Sequence, residues 1–324
     1  MLATMTASLP AEVQRVFDRF ITVEYTTIDR HGQPITWPVT PYYRPGDDCI
    51  DVTTGLGYPK KAEDARANPR VGLLFSDRTG SGERDAPMVL VQGIAAVDDH
   101  DLDANRERYV RESTEKLPAA ASGHPPEPIR RKLHWYYARI YVHVRPERVY
   151  VWPTADSRHE PQLLDAHMEE VRSGHDEEPE SAPRAEGGGD TWDDRIDVIG
   201  DRYRTGVLSL VSPDGFPFAV RVPIAVDRAA HRVRIERPPI GVPLAAGRAC
   251  LTAHDHAPDF TWQRNTQVRG DLVQEGDDWA IVPHRVVGGF ELPPGSPVAK
   301  LRPNIGKARR YQARAKRELE RRHR

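Results

Sequence analysis

The order of apolar and polar positions predicts a chain built mostly of strands with a few helices. Residues 11–20 carry apolar side chains at helical spacing and predict an amphipathic helix. Residues 21–28 are β-branched and aromatic and predict a strand. Further strands are predicted over 35–43, 49–54, 70–76, 88–98, 140–144 and 148–152. Further helices are predicted over 58–67, 101–116 and 127–138.

The second half of the chain repeats this order of elements in shorter form. After a predicted helix over 193–201, strands are predicted over 205–211, 216–226, 232–237, 248–254, 261–274 and 279–282. Short segments match the first half in order: the turn 29–34 matches 212–217, and Val91-Gln92-Gly93 matches Val268-Arg269-Gly270. An ordered series at a fixed large offset predicts two copies of one barrel rather than a solenoid.

An acidic stretch separates the two halves. Residues 156–194 contain 13 acidic and 3 basic residues, with three consecutive glycines near the end. This composition predicts a partly disordered linker, with a short helix over 163–171; a loop packed over a site is the other interpretation. The predicted organisation is a first barrel over 1–155, a linker over 156–194, a second barrel over 195–300 and a basic C-terminal helix over 301–324.

Composition narrows the class of protein. The 324 residues carry a net charge of -2, which argues against nucleic acid as the default partner. Two cysteines exclude a disulfide scaffold and a four-cysteine zinc module. No apolar run is long enough to span a membrane, and the first residues do not resemble a secretory signal. A cytoplasmic protein is therefore expected, with the basic tail a solvated or packed helix.

Four segments of the first half stand in a recognisable order. They are Pro38-Val39-Thr40-Pro41, then Asp51-Val52-Thr53-Thr54 with Lys60-Lys61, then Asn68-Pro69-Arg70-Val71-Gly72-Leu73, then Leu90-Val91-Gln92-Gly93. In this order they resemble the pyridoxamine 5'-phosphate oxidase-like family of flavin-binding split β-barrels, over roughly residues 12–152. The second half resembles the same fold more faintly. The resemblance implies an α+β, mainly β fold of two tandem split β-barrels with peripheral helices.

The resemblance also implies a cofactor at the junction of two barrels. FMN is the expected cofactor, with a deazaflavin coenzyme or haem as alternatives. The residues carried over as cofactor ligands are Val39, Thr40, Thr53, Thr54, Lys60, Lys61 and Gln92. A flavin phosphate needs hydroxyl donors and cations, and a helix N-terminus adds partial positive charge. The alternatives are a solvated helix face for the lysines, ordinary strand positions for the threonines, and cross-strand pairing for Gln92.

The second half departs from this pattern. At the position where the first half has Thr53-Thr54 followed by Lys60-Lys61, the second half has Glu236-Arg237-Pro238-Pro239. A glutamate repels phosphate and two prolines remove N–H donors. We therefore expect at most one cofactor per chain, held by the first barrel and covered by the second. Trp262, Arg264 and Arg269 are candidates for that covering wall. Intramolecular pairing of the barrels is expected, and a homodimer of whole chains stays open.

Three functions remain open from the sequence. The favoured hypothesis is a flavin-dependent oxidoreductase acting on a small molecule, in which the cofactor supplies the hydride chemistry. The second is a non-catalytic flavin, deazaflavin or haem carrier or sensor, with His31, His134 and His143 as haem-ligand candidates. The third is an assembly module without cofactor. No metal site is expected, because His254 and His256 lack a third histidine at suitable spacing.

Overall fold

A computed structural model of the chain describes residues 9–117, 123–165, 192–288 and 305–322. The elements of the first half are α1 (Ala11–Arg19), β1 (Val23–Ile28), β2 (Pro34–Val39), β3 (Ile50–Gly55), α2 (Lys60–Ala67), β4 (Arg70–Phe75), β5 (Met88–Asp98), α3 (Leu102–Lys116), α4 (Glu127–Lys132), α5 (His134–Tyr137), β6 (Arg139–Trp152) and β7 (Gln162–Asp165). Those of the second half are α6 (Arg195–Arg202), β8 (Thr205–Val211), β9 (Pro217–Asp227), β10 (Arg232–Ile235), β11 (Gly247–His256), β12 (Gln263–Glu275), β13 (Asp278–Gly288) and α7 (Ile305–Arg322). Strands dominate both halves, as the predicted fold class requires.

The first half forms one antiparallel sheet in the order β2-β1-β4-β5-β6-β3, with β7 added to β6. The sequence predicted two short strands where the structure has the single strand β6. This strand is long because it pairs with β3 along its first part and with β5 along most of its length. A bulge between Gln92 and Gly93, opposite Pro146, shifts the register there. That shift breaks the alternation of apolar and polar residues along β6, which is why the sequence predicted two strands there.

The second half forms a closed barrel with the same strand order. Its strands follow β9-β8-β11-β12-β13-β10, and β10 pairs back to β9. Its bulge lies between Arg269 and Gly270, opposite Pro283, at the position that corresponds to Gln92 and Gly93. Both bulges need glycine: a Cβ on Gly93 would collide with the carbonyl oxygen of Arg145, and one on Gly270 with that of Val282.

The two barrels pack against each other through an apolar face. Leu74, Met88, Leu90 and Trp152 of the first barrel belong to the same buried cluster as the core of the second. The Trp152 ring, which has no exposed surface, meets the ring of Phe218 edge-on at 6.2 Å. Full burial of each such side chain contributes about 1.5–3 kcal/mol. The barrels therefore pair within one chain.

Polar contacts across this face follow an approximate two-fold relation. On one side the amide of Gln92, on β5, donates to the carbonyl oxygen of Pro217 on β9 at 3.1 Å. On the other side the amide of Gln267, on β12, donates to the carbonyl oxygen of Thr36 on β2. The Thr36 hydroxyl also lies 2.6 Å from that of Ser209. Equivalent strands of the two barrels thus supply equivalent contacts.

Helix α7 follows the second barrel in sequence and packs on the first. Ala315 is fully buried in the core of the first barrel. The amide of Gln312 donates to the carbonyl oxygen of Lys132 at 2.9 Å and accepts from the backbone N–H of Trp135. Arg322 forms an ion pair with Asp99 at 2.6 Å. The basic C-terminal segment is therefore docked beside α5 over its described residues.

The predicted linker differs from expectation at its start. Residues 162–165 form the strand β7 on the edge of β6, where the sequence predicted the beginning of a helix over 163–171. The strand forms because Leu164 pairs with Val149 and packs against the first core. The rest of that predicted helix lies outside the described residues, and the limits of barrels and linker stay predictions. None of the helices in the described ranges is long and apolar enough to cross a membrane.

Candidate functional site

The turn from β3 into α2 positions the residues expected to bind phosphate. Thr53 and Thr54 end β3, and both are buried. The Thr54 hydroxyl donates to the carbonyl oxygen of Tyr58 at 2.9 Å and so fixes the turn. Pro59 then precedes the helix and gives it no side-chain cap. The first N–H groups of α2 are therefore suited to face an anion.

The two lysines of α2 have different surroundings. Lys60 is exposed and forms an ion pair with Asp64 at 2.8 Å. Lys61 points to another side of the helix, where its ammonium lies 5.6 Å from the ring centroids of both Trp37 and Tyr58. Burial lowers the pKa of Lys61 to about 8. The sequence analysis took Lys60 and Lys61 together as phosphate ligands, whereas the structure gives the two side chains different neighbours.

Arg139, the first residue of β6, lies buried behind this turn. Its guanidinium donates through Nε to the Thr53 hydroxyl at 3.2 Å and through Nη1 to the Tyr58 hydroxyl at 3.3 Å. It also donates to the carbonyl oxygen of Tyr136 and lies 4.1 Å from the ring centroid of Tyr109. The cation is thus held by neutral hydroxyls, a carbonyl and aromatic rings.

Lys61 and Arg139 together form a pair of cations without an acid. Among the described residues, neither has a carboxylate at ion-pair distance. The charge of Arg139 adds to burial in lowering the pKa of Lys61. A charge withdrawn from water without a partner is costly, and a bound anion offsets that cost. This place is therefore suited to a phosphate or another anion.

An aromatic wall adjoins the two cations. The rings of Tyr58 and Trp135 lie 6.3 Å apart, and both meet Tyr311 of α7, at 5.3 and 5.9 Å. Trp37, on β2, closes the side nearest Lys61. All four rings are partly exposed. A flat ligand with an anionic group matches a wall of this kind next to a cation.

The remaining predicted ligands are not all brought together. Val39 and Thr40 are half-buried at the end of β2, and Val39 shares a face of that strand with Trp37. Gln92 has no exposed surface, and its amide bonds Pro217 and Arg148. In this structure Gln92 therefore joins the barrels and does not face solvent.

The second barrel brings one of its three candidates to the interface. Arg269 is half-buried, donates to the side-chain oxygen of Gln267 at 2.6 Å, and has its pKa lowered by burial. The negative charges of Asp29 and Asp64, both in the first barrel, raise the pKa of Arg269 and so oppose the effect of burial.

The other two candidates lie together elsewhere in the second barrel. Arg264 forms a two-contact ion pair with Asp255 and stacks on Trp262 at 5.2 Å. Arg264 therefore contacts both Trp262 and Asp255 within the second barrel.

A cavity of about 510 Å³ lies where β6 of the first barrel meets the second barrel. It is lined in part by Arg148 and Tyr150 of β6, by Asp214 and Phe218, and by the segment 241–243, which follows β10 as the turn to α2 follows β3. Here the guanidinium of Arg148 is paired with the carboxylate of Asp214. This cation is neutralised, in contrast to Lys61 and Arg139.

The His254 and His256 pair belongs to a buried ion network between the barrels. Glu24 on β1 accepts from Arg221 at 2.7 Å, and the same oxygen lies 2.7 Å from Nε2 of His254. His256 Nε2 lies 3.5 Å from Asp77. Although burial raises the pKa of Glu24, its contacts to His254 and Arg221 bring that pKa below its usual value. The network ties β1 to β9 and β11.

Sequence reasoning missed Arg139, Tyr58, Trp37 and Tyr311. Arg139 opens the long strand that ends the first barrel, but its neighbours in space lie on α3, α5 and β3. The only sequence signal was the position of Tyr58 and Trp37 beside the predicted ligands. Tyr311 had none, because α7 reaches the site by tertiary packing alone.

Comparisons with known proteins give matches at the level of structure. No family model and no curated protein matches the sequence. Solved structures that match include a putative pyridoxamine 5'-phosphate oxidase from Listeria innocua, at 15% identity and TM-score 0.31 over 44% of this chain and 96% of that one. An F420 reductase matches at 17% identity and TM-score 0.33, over 44% of this chain and 98% of that one. An FAD-binding protein from Mesorhizobium loti matches at 17% identity and TM-score 0.30, over 44% of this chain and 92% of that one. Each of these likenesses covers less than half of this chain.

Proposed function

We propose that this chain binds a phosphorylated flavin, FMN or a deazaflavin coenzyme, at the first barrel and uses it as an oxidoreductase on a small molecule. The observation that carries the proposal is the cation pair of Lys61 and Arg139, which no acid neutralises among the described residues. A bound flavin supplies the hydride chemistry, and the protein supplies binding, orientation and exclusion of water.

The available groups fit such a cofactor. Lys61, beside the uncapped start of α2, offers a charge-assisted hydrogen bond to phosphate. Arg139 adds positive charge from behind, while its own hydrogen bonds hold Thr53 and the hydroxyl of Tyr58 in place. Trp37 and the Val39–Thr40 end of β2 offer apolar surface and backbone groups to a flat ring system.

Haem fits the same residues less well. A haem-binding histidine needs a ring nitrogen directed at an apolar pocket. Nδ1 of His143 lies 2.7 Å from the carboxylate of Asp51, and Nε2 of His31 accepts from Arg30 at the exposed turn after β1.

We further propose one cofactor per chain. Lys61 and Arg139 have no carboxylate at ion-pair distance among the described residues, whereas Arg148, in the cavity beside the segment 241–243 of the second barrel, is paired with Asp214. The half-buried Arg269 of the second barrel lies within electrostatic reach of Asp64 on α2. This supports the second barrel as a cover for the site, and dimers of whole chains are compatible with it.

The direct test is the cofactor itself. The purified full chain should be yellow or should take up one equivalent of FMN or a deazaflavin, with the released compound identified by mass spectrometry. Turnover of the bound flavin with a small-molecule oxidant or reductant supports the enzyme; a coloured protein that never turns over supports a carrier or sensor. A colourless chain that takes up no flavin overturns the proposal.

A further inference from the structure

A second cluster of ligating groups lies on the outer face of β3 and β6. Cys49 directly precedes β3, and Asp51 is two residues further on, so both side chains project to the same face. His143 stands opposite Asp51 in the register of β6. One ligand atom from each of the three lies within 4.8 Å of the others.

One distance within this cluster matches that between two ligands of one metal ion, and the other is shorter. Nδ1 of His143 lies 2.7 Å from Oδ1 of Asp51, and Sγ of Cys49 lies 3.4 Å from the same oxygen. Ligands of a tetrahedral zinc ion are roughly 3.3–3.8 Å apart, given zinc–ligand bonds of about 2.0–2.3 Å. A rearrangement of about half an ångström between His143 and Asp51 admits the ion.

The groups around the cluster orient its ligand atoms. The guanidinium of Arg108 contacts Oδ2 of Asp51 and is itself held by Glu112 at 2.8 Å, so Oδ1 is left toward Cys49 and His143. Oδ2 of Asp98 lies 3.9 Å from Nε2 of His143. This distance is beyond hydrogen-bond range, so in this structure Asp98 lies near the far ring nitrogen without holding it.

We propose that Cys49, Asp51 and His143 bind a zinc ion. Thiolate, imidazole and carboxylate are the three ligand types that zinc takes in proteins, and the mixed set with a thiolate disfavours magnesium and calcium. On binding, the thiol proton of Cys49 is released to solvent, and the proton between Nδ1 of His143 and Asp51 leaves for Nε2 or solvent, so that the sulfur, Nδ1 and Oδ1 are free to bond the ion. Cys49 and His143 are partly exposed, so the fourth position is open to water.

The sequence did not indicate this site. Asp51 and His143 lie 92 residues apart, and only the pairing of β3 with β6 brings them together. The site is distinct from the flavin site, since it does not use Lys61, Arg139 or the aromatic wall. It stands whether or not a flavin binds.

The test uses zinc and cobalt on the purified full chain. Equilibrium dialysis followed by elemental analysis should give one zinc per chain, and Co²⁺ in its place should show a thiolate-to-cobalt charge-transfer band. Cys49→Ser and His143→Ala should each reduce zinc affinity at least about tenfold, while Cys250→Ala, at the fully buried second cysteine, should not change it.

A labelling experiment gives an independent readout. Saturating zinc should slow alkylation of Cys49 at least about tenfold, and Cys250, with no exposed surface, should stay unlabelled in the folded chain. Zinc retention that is equal in wild type and Cys49→Ser overturns the site. A cobalt complex without a thiolate band, or alkylation of Cys49 at the same rate with and without zinc, also overturns it.

Discussion

The two barrels share a strand order and differ in what connects the strands. In the first, α2 lies between β3 and β4, and α3, α4 and α5 lie between β5 and β6. In the second, residues 236–246 between β10 and β11 contain no helix, and β12 turns into β13 at Gly276 and Asp277. Lys61 comes from the first of these inserted segments and the tyrosines around Arg139 from the second. The chemistry of the candidate site therefore lies in the connections, on a sheet that both halves share.

The barrels also differ in charge at equivalent positions. The turn hydrogen bonds Asp29 N to Gln33 O and Ser212 N to Phe216 O mark the same point in the two hairpins. Five residues before each turn stand Glu24 in β1 and its counterpart in β8, Val207. One side of the interface therefore has a buried ion network, and the related side is apolar at that position.

The largest expected effect comes from breaking this network. Glu24→Gln leaves Arg221 and His254 buried beside a neutral amide, and the free energy of unfolding should fall by about 3–5 kcal/mol. Denaturant titration measures it. As a matched control, Glu147→Gln in the exposed pair with Arg145 should cost about 0.5 kcal/mol or less. A loss below about 1 kcal/mol for the Glu24 variant would show that the asymmetry is unimportant for stability.

The next largest effect is on FMN binding, where substitution of Lys61 should matter more than substitution of Lys60. Lys61→Ala should weaken FMN binding at least about tenfold, since a charge-assisted hydrogen bond contributes about 1.5–3 kcal/mol. Lys60→Ala is the control, because its ammonium is already paired with Asp64, and its effect should stay within about threefold. Fluorescence titration of both variants decides: equal losses would mean that the phosphate does not distinguish the two sides of α2.

A smaller effect should appear in the pH dependence of binding. The pKa of Lys61 is lowered to about 8, so its ammonium is present below that pH and is lost above it. FMN affinity should therefore fall by about three- to tenfold between pH 7 and 9, an interval above the second ionisation of the phosphate near pH 6. The same titration on Lys61→Ala should be flat over this interval; a similar decline there would assign the dependence to another group.

The smallest effect concerns the second barrel. Asp214→Asn frees Arg148 in the cavity beside the segment 241–243, and should change stability by about 1 kcal/mol or less because the pair is partly exposed. Flavin stoichiometry should stay at one per chain, since neither a helix after β10 nor a second lysine is present there. Binding of a second equivalent of FMN would show that a single charge separates the two barrels functionally.

The sequence was informative where function depends on local pattern. Strand alternation and the matching Gln92-Gly93 and Arg269-Gly270 segments predicted two barrels of one order, and both segments are bulges in the structure. Lys61 was predicted as a ligand because it stands at the start of a helix after a strand.

Tertiary contacts account for what the sequence could not predict. Gln92 looked available to a ligand, but Pro217, 125 residues away, accepts from its amide. Lys60 and Lys61 were indistinguishable until the helix start and the position of Asp64 were known. The charge of Arg139 matters only because α3 and α5 surround it with tyrosines and no acid.

The docking of α7 has a consequence for how the protein is made. Tyr311 completes the aromatic wall of the first barrel, yet it follows the whole second barrel in the chain. During synthesis the first barrel emerges with Tyr58 and Trp135 uncovered, and they remain so until β13 and α7 have left the ribosome. A product that stops before Tyr311 retains Lys61 and Arg139 but lacks one ring of the aromatic wall, so the candidate site is complete only in a chain made through both barrels.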